Sequence, residues 1–212
     1  MNNIVIVGNG GFAREVKWLI EECNKIKKEW NLIGWISTQE KGTIVDGLPI
    51  VGDDQWLIEY SEPISAVIAI GNGALRKRLV QSYRVNKNIS FPNIVAPNVI
   101  LNKRIKMGQG CIITFQSTFT VDIEIGNFII SNLACTVGHD CKIGNYTTLY
   151  PGAHVSGGVT LGECSSVGTG ASIIQGCSIG ENTFIGAGAV VVKNIPSNCT
   201  AVGVPAKVVE RE

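Results

Sequence analysis

The chain has 212 residues, with 18 Lys and Arg against 17 Asp and Glu, 45% hydrophobic side chains and 17% charged ones. That length holds one or two domains with a real core, and the composition excludes intrinsic disorder. A formal charge of +1 gives no general basic field for nucleic acid or an acidic membrane.

In chain order, Met1-Asn2-Asn3-Ile4-Val5-Ile6-Val7-Gly8 has no basic segment ahead of its apolar run and predicts no signal peptide. No stretch approaches the ~18 apolar residues that a membrane span needs. Seven cysteines, none in a Cys-x-x-Cys pair, fit reduced thiols in the cytoplasm. Residues 4–7 read as a short buried strand leading into Gly8-Asn9-Gly10-Gly11-Phe12-Ala13. From 12 to 28, Val16, Leu19, Ile20, Cys23 and Ile26 recur at helical spacing. A second strand over 32–36, a short helix over 53–59 and a third strand over 66–70 follow. The last runs into Gly71-Asn72-Gly73 and a basic helix over 74–82. Strands alternating with helices predict an α/β, Rossmann-like domain with a parallel sheet over residues 1–90. Residues 89–98, with Pro92 and Pro97, form the junction.

The first glycine loop fits Gly-x-Gly-x-x-Ala between a strand and a helix. Backbone N–H groups and a helix N-terminus there suit a phosphate. A dinucleotide site also needs an acid at the end of the second strand. That place reads Gly34-Trp35-Ile36-Ser37-Thr38, which argues against NAD and for a nucleotide or sugar-phosphate. The alternative is that both glycine runs merely turn the chain. Arg76, Lys77, Arg78, Arg84, Lys87, Lys103, Arg104 and Lys106 hold eight of the 18 positive charges. They either steer an anion or form a solvated face.

The second half repeats. Met107-Gly108, Ile125-Gly126, Ile143-Gly144, Leu161-Gly162 and Ile179-Gly180 recur every 18 residues, with a finer period of six. Of the 17 positions from Val95 to Val191 at that step, 16 are apolar and Ser131 is the exception. A second register two residues earlier holds mostly small side chains, including Cys111, Cys135, Cys141 and Cys177. Residues two apart on a strand share a face, so both registers point inward and these thiols are packing residues. Three hexads per coil give a triangular parallel β-helix over residues 91–212, including a C-terminal tail. Of the two histidines, His139 follows inward Val137 and adjoins Asp140. The pair suits a general base with an orienting acid if residues 138–140 turn. A structural histidine fits equally, and residue type leaves both open.

From Gly8 to Lys207 the chain resembles the bacterial sugar acetyltransferases of the sialic-acid O-acetyltransferase and nucleotide-4-amino-sugar N-acetyltransferase family. The matching pieces are the Gly8–Ala13 loop, Ala69-Ile70-Gly71-Asn72, Gly138-His139-Asp140, the 18-residue repeat, Gly186-Ala187-Gly188 and Gly203-Val204-Pro205-Ala206-Lys207. The resemblance implies a left-handed β-helix, a homotrimer, and acetyl-CoA in the groove between neighbouring solenoids. It implies His139 as general base, Asp140 as the acid that tunes it, and Asn132 as a substrate contact. Thr169, Ala187 and Lys207 match cofactor-binding positions, and Thr148 aligns where some relatives have a histidine near the thioester. Gly10, Gly11, Phe12 and Gly71 fall where relatives hold a nucleotide sugar. Ser37-Thr38 departs from the Asp-Asp that amino-sugar enzymes often carry near the base.

The expected activity is direct acetyl transfer to the 4-amino group of a nucleotide-linked amino-deoxysugar, with transfer to a sugar hydroxyl as the alternative. Zinc catalysis on this solenoid needs three histidines, and the chain has two, so no metal is expected. A nucleotide-sensing scaffold is the remaining class; the His-Asp pair and the C-terminal motif argue against it through the resemblance.

Overall fold

The structure, a computed structural model, describes residues 1–209; the last three residues of the expected C-terminal tail lie outside the described residues. The N-terminal sheet is built from β1 (Asn2–Val7), β2 (Trp30–Ile36), β3 (Ile44–Val45), β4 (Leu48–Gly52), β5 (Ile64–Ile68) and β6 (Ile89–Ser90). Their spatial order is β3-β4-β2-β1-β5-β6, parallel except for the β3–β4 hairpin. Ile4 to Val7 are all buried, as befits a central parallel strand covered on both faces. Helix α1 (Gly11–Ile26) turns Ala13, Val16, Leu19 and Ile20 inward. Helices α2 (Asp54–Glu59) and α3 (Gly73–Tyr83) start at Asp53 and Asn72, whose side chains accept from the Trp56 and Leu75 N–H groups at 2.9 Å.

Two elements go beyond the sequence reading. The β3–β4 hairpin turns at Asp46-Gly47, both at positive φ, and Asp-Gly between apolar residues is a strong hairpin signal. The segment read as a junction contains β6 and then the first solenoid strand, Ile94–Val95.

The solenoid has three faces. Face A carries Ile94–Val95, Ile112–Ile113, Ile130–Ser131, Thr148–Leu149, Ser166–Val167, Phe184–Ile185 and Thr200–Val202, with Lys207–Val209 antiparallel at its end. Face B runs from Thr118–Phe119 through Thr136–Val137 and His154–Val155 to Val190–Val191, and face C from Lys106–Met107 through Lys142–Ile143 to Ser178–Ile179. Non-glycine residues at positive φ stand at the vertices six apart, among them Gln116, Asp122, Phe128, Ala134, Asp140 and Tyr146. That demand explains the supply of Gly, Asn and Asp. From Ile113 to Val191 every residue of the inward register is buried, Ser131 included, as are Cys111, Cys135, Cys141 and Cys177. The final coil is shorter: Ile195 pairs with Ile179 and Ala201 with Ile185.

The N-terminal domain docks on face A. Outward Ile94, Ile112 and Ile130 share a core with Ile4, Ile6, Ala13 and Val16. At the vertex between faces C and A, Phe128 and Tyr146 join Val5, Leu57, Val80 and Tyr83. Arg76 locks this joint. It is 1% exposed, and its guanidinium donates to the carbonyls of Phe128 (2.8 Å), Ile70 (2.5 Å), Gly71 (3.1 Å), Tyr146 (2.7 Å) and Thr147 (3.2 Å) and to the Thr148 hydroxyl (3.0 Å). Burial pulls its pKa down to about 10, so it is still charged at neutral pH. Gly73 lets the two domains meet, because a β-carbon there would lie 2.4 Å from the Tyr146 carbonyl oxygen.

Candidate active site

The domain brings two glycine loops together. Strand β1 continues through α1 to β2 on one side, while β5 lies on its other side, so the strand order reverses between β1 and β5. The crevice beyond the carboxyl ends of such a pair is where open α/β sheets bind ligands. Gly10, Gly11 and Phe12 follow β1 and Gly71 follows β5, so these expected substrate residues border one crevice. Gly10 caps α1 without any side-chain bond, and no acid stands in the first turn. The helix end therefore offers its N–H groups to an anion.

His139 and Asp140 occupy the vertex between faces B and C. Asp140 takes φ 60°, the turn that adjacent residues need in order to pair. Its N–H donates to the Val121 carbonyl, and the His139 carbonyl accepts from Gly158 N–H at 2.7 Å. Nδ1 of His139 lies 2.7 Å from Oδ2 of Asp140. A carboxylate only accepts, so Nδ1 carries the proton and Nε2 presents its lone pair. Both side chains are 65% exposed, open to a substrate. Such an arrangement can act as a general base with its tautomer fixed by an acid.

The vertex between faces A and B holds Asn132, Thr169 and Ala187. Thr169 and Ala187 are exposed and stacked through the Gly188 N–H to the Thr169 carbonyl at 2.8 Å. Gly170 and Gly188 beside them have nothing within 4 Å of where a β-carbon would stand. A narrow, amide-bearing chain such as a pantetheine arm fits a backbone surface of this kind. Lys207 sits exposed in the terminal strand of face A.

Within the single chain these groups are not all united. The His139 vertex is the one opposite face A, whereas the glycine crevice is on the domain that covers face A.

Residues 3–83 match the PglD N-terminal domain family and residues 158–193 the bacterial transferase hexapeptide (six repeats) family. The structure is similar to PerB from Caulobacter crescentus in complex with CoA and GDP-perosamine, at 32% identity, covering 99% of this chain and 98% of that one, with TM-score 0.89. The chain belongs to the hexapeptide-repeat sugar acetyltransferases. It is similar also to the acetyltransferase domain of PglB from Neisseria gonorrhoeae in complex with acetyl coenzyme A (27% identity, 99% and 100% covered, TM-score 0.90). WeeI from Acinetobacter baumannii is a further similar structure (28%, 99% and 100%, TM-score 0.89). No match was found among curated protein sequences.

As an acetyl-CoA-dependent sugar acetyltransferase with the left-handed β-helix of that family, the chain departs from the sequence reading at two places. Thr148 is 2% exposed, and its hydroxyl donates to the Gly71 carbonyl at 2.7 Å while accepting from Arg76. A cofactor contact by this side chain is incompatible with that burial; Thr148 instead ties the Gly71 loop to face A. The basic cluster is divided rather than one continuous face: Arg78, Arg84, Lys87 and Lys103 are exposed, and the other four are taken up. Arg76 is interior, Lys77 pairs with Glu163, Arg104 with Asp122 and Lys106 with Glu124. The thiols behave as packing residues: burial raises Cys111 to about 11 and pushes Cys135, Cys141 and Cys177 upward. Among the described residues no helix is long and apolar enough to cross a membrane, and no cluster of His, Cys, Asp or Glu is placed to hold a metal.

Tyr150 was missed. Its hydroxyl stands 3.6 Å from the place of a Gly71 β-carbon, and its ring meets Phe184 edge-on. The 18-residue step marks it, since Tyr150 is the counterpart of Asn132 one coil on.

Proposed function

We propose that the chain transfers the acetyl group of acetyl-CoA to the 4-amino group of a nucleotide-linked amino-deoxysugar. The observation that carries this reading is the full-length likeness to PerB, a structure holding CoA and GDP-perosamine, at 32% identity. The glycine crevice receives the nucleotide sugar, and the Thr169 and Ala187 vertex receives the pantetheine arm. The amine attacks the thioester carbonyl carbon while Nε2 of His139 takes its proton, and Asp140 stabilises the imidazolium. The carbon–sulfur bond then breaks, and the proton passes to the CoA sulfur. Positioning both substrates replaces a bimolecular encounter. The buried thiols support direct transfer without an acetyl-cysteine.

The working unit in this reading is a homotrimer. Its support is that His139 and the glycine crevice face away from each other on one protomer, so a neighbouring copy must bring the base to the sugar.

The test is product analysis by mass spectrometry after incubation with acetyl-CoA and UDP-, dTDP- and GDP-linked 4-amino-sugars beside free and CMP-linked sialic acid. One acetylated amino-sugar is expected. Acetylation of a hydroxyl alone would replace the amine acceptor with an alcohol. His139→Ala should lower turnover by about 10²–10⁴ while the oligomer stays intact; near-unchanged turnover would remove His139 from its role.

A further inference from the structure

Ser131 breaks the inward column of aliphatic residues, and its hydroxyl is buried at the vertex that presents Asn132. It pairs in the ladder with Ile113 and Leu149 and is 0% exposed. Its Oγ lies 3.2 Å from Ser117 Oγ, and Ser117 donates to the Asn132 carbonyl at 3.0 Å. With the Ser117 proton so used, Ser131 donates to Ser117, and the two bonds polarise each other. Elsewhere the small inward slot anchors the equivalent carbonyl with a single group: Cys111 to Gly126 at 3.3 Å, Cys135 to Tyr150 at 3.2 Å and Cys141 to Ser156 at 3.1 Å. Among the described residues, only at Asn132 does a second hydroxyl back the first.

The rest of Asn132 is held as well. Its N–H donates to the Leu149 carbonyl at 2.9 Å, and its Oδ1 accepts from Leu133 N–H at 2.7 Å. Its Nδ2 has no partner among the described residues and is left as an oriented donor. Thr114, one coil earlier in the same column, keeps a buried Oγ1 without a partner. Polar groups that weaken a core cluster where function requires them.

We propose that Ser131 and Ser117 are positioning residues: a buried hydroxyl relay that fixes Asn132 so that Nδ2 donates to an acceptor oxygen of the sugar substrate. The proposal rests on the acetyltransferase reading above and deepens it.

The test compares Ser131→Ala and Ser131→Leu, the latter matching Leu149, with Asn132→Ala. The expected result is a Tm equal to or above that of the parent, with kcat/KM for the sugar lowered by about 10–10² and KM for acetyl-CoA unchanged. Combined with Asn132→Ala, the Ser131 changes should add no further loss. Crystal structures of the Ser131 variants should show the Asn132 carboxamide displaced. An unmoved carboxamide, or full additivity with Asn132→Ala, would overturn the relay. The crystallographic readout decides this even if the parent enzyme acetylates no amino-sugar, an outcome that would sink the functional reading on its own.

Discussion

The imidazole of His139 lies over Gly157: a β-carbon on Gly157 would stand 2.5 Å from Nε2 and 2.6 Å from Cε1. Nε2 is therefore seated in a space that only the missing side chain provides. His139 is exposed and free to swing aside, so Gly157→Ala should fold normally with the imidazole displaced. The expected outcome is a turnover loss of about 10² with circular dichroism and Tm unchanged. A fully active Gly157→Ala enzyme would show that the ring works from another position.

If the homotrimer proposed above is the working unit, two defects on different copies should complement, because the His139 vertex lies opposite the face that the crevice domain covers. His139→Ala and Gly11→Trp, a change that fills the crevice, should each be inactive alone. Mixed and refolded together, they should regain turnover at sites that combine an intact base with an intact crevice. No recovery, with mixed trimers demonstrated, would place base and crevice on the same copy.

Arg76→Met keeps bulk and removes the donors. The carbonyls of Phe128, Ile70 and Tyr146 then lose their partner, and each unpaired buried carbonyl costs about 1–3 kcal/mol. Urea unfolding should report a loss of about 3 kcal/mol or more. The KM for the sugar should rise, since the Gly71 carbonyl loses one of its two donors and Thr148, its other donor, loses its own bond from Arg76. A stability within experimental error of the parent would deny Arg76 its clamping role.

The Lys77–Glu163 pair joins α3 to the solenoid and sets a pH window. Lys77 holds Glu163 below its usual value of 4.5, and Glu163 holds Lys77 above 10.5. Their contribution is thus constant between those values. It is lost as pH falls below 4.5 through the folded-state value of Glu163, or rises above 10.5 through that of Lys77. Both side chains are partly exposed, so solvent screens the pair and the effect is small. Glu163→Gln should flatten the acid limb of Tm against pH without changing turnover at neutral pH; an unaltered acid limb would mean that other carboxylates dominate.

The solenoid was legible because its period is local. Six-residue spacing of Val, Leu and Ile positions each inward side chain without reference to any distant residue, and even Ser131 obeys it. Helices α1 and α3 were legible for the same reason. Arg76 was not, because its acceptors lie up to 72 residues away and a basic helix gives no sign of which cation turns inward. Thr148 failed likewise: a position inherited from relatives said nothing of the domain that covers it here. Gly157 was hidden in plain view, 18 residues after His139, where the repeat stacks one coil directly on the next.

Nothing in an 18-residue repeat tells a solenoid to stop, and an open end bares three rows of backbone donors and acceptors. Here each row is closed differently. Face A ends on the antiparallel strand Lys207–Val209, face B on the bond from Ala206 N–H to the Val190 carbonyl, and face C on the bridge of Ile195 to Ile179. A second solenoid arriving in parallel register meets a reversed strand and two occupied edges, so this end of the prism cannot template a fibre.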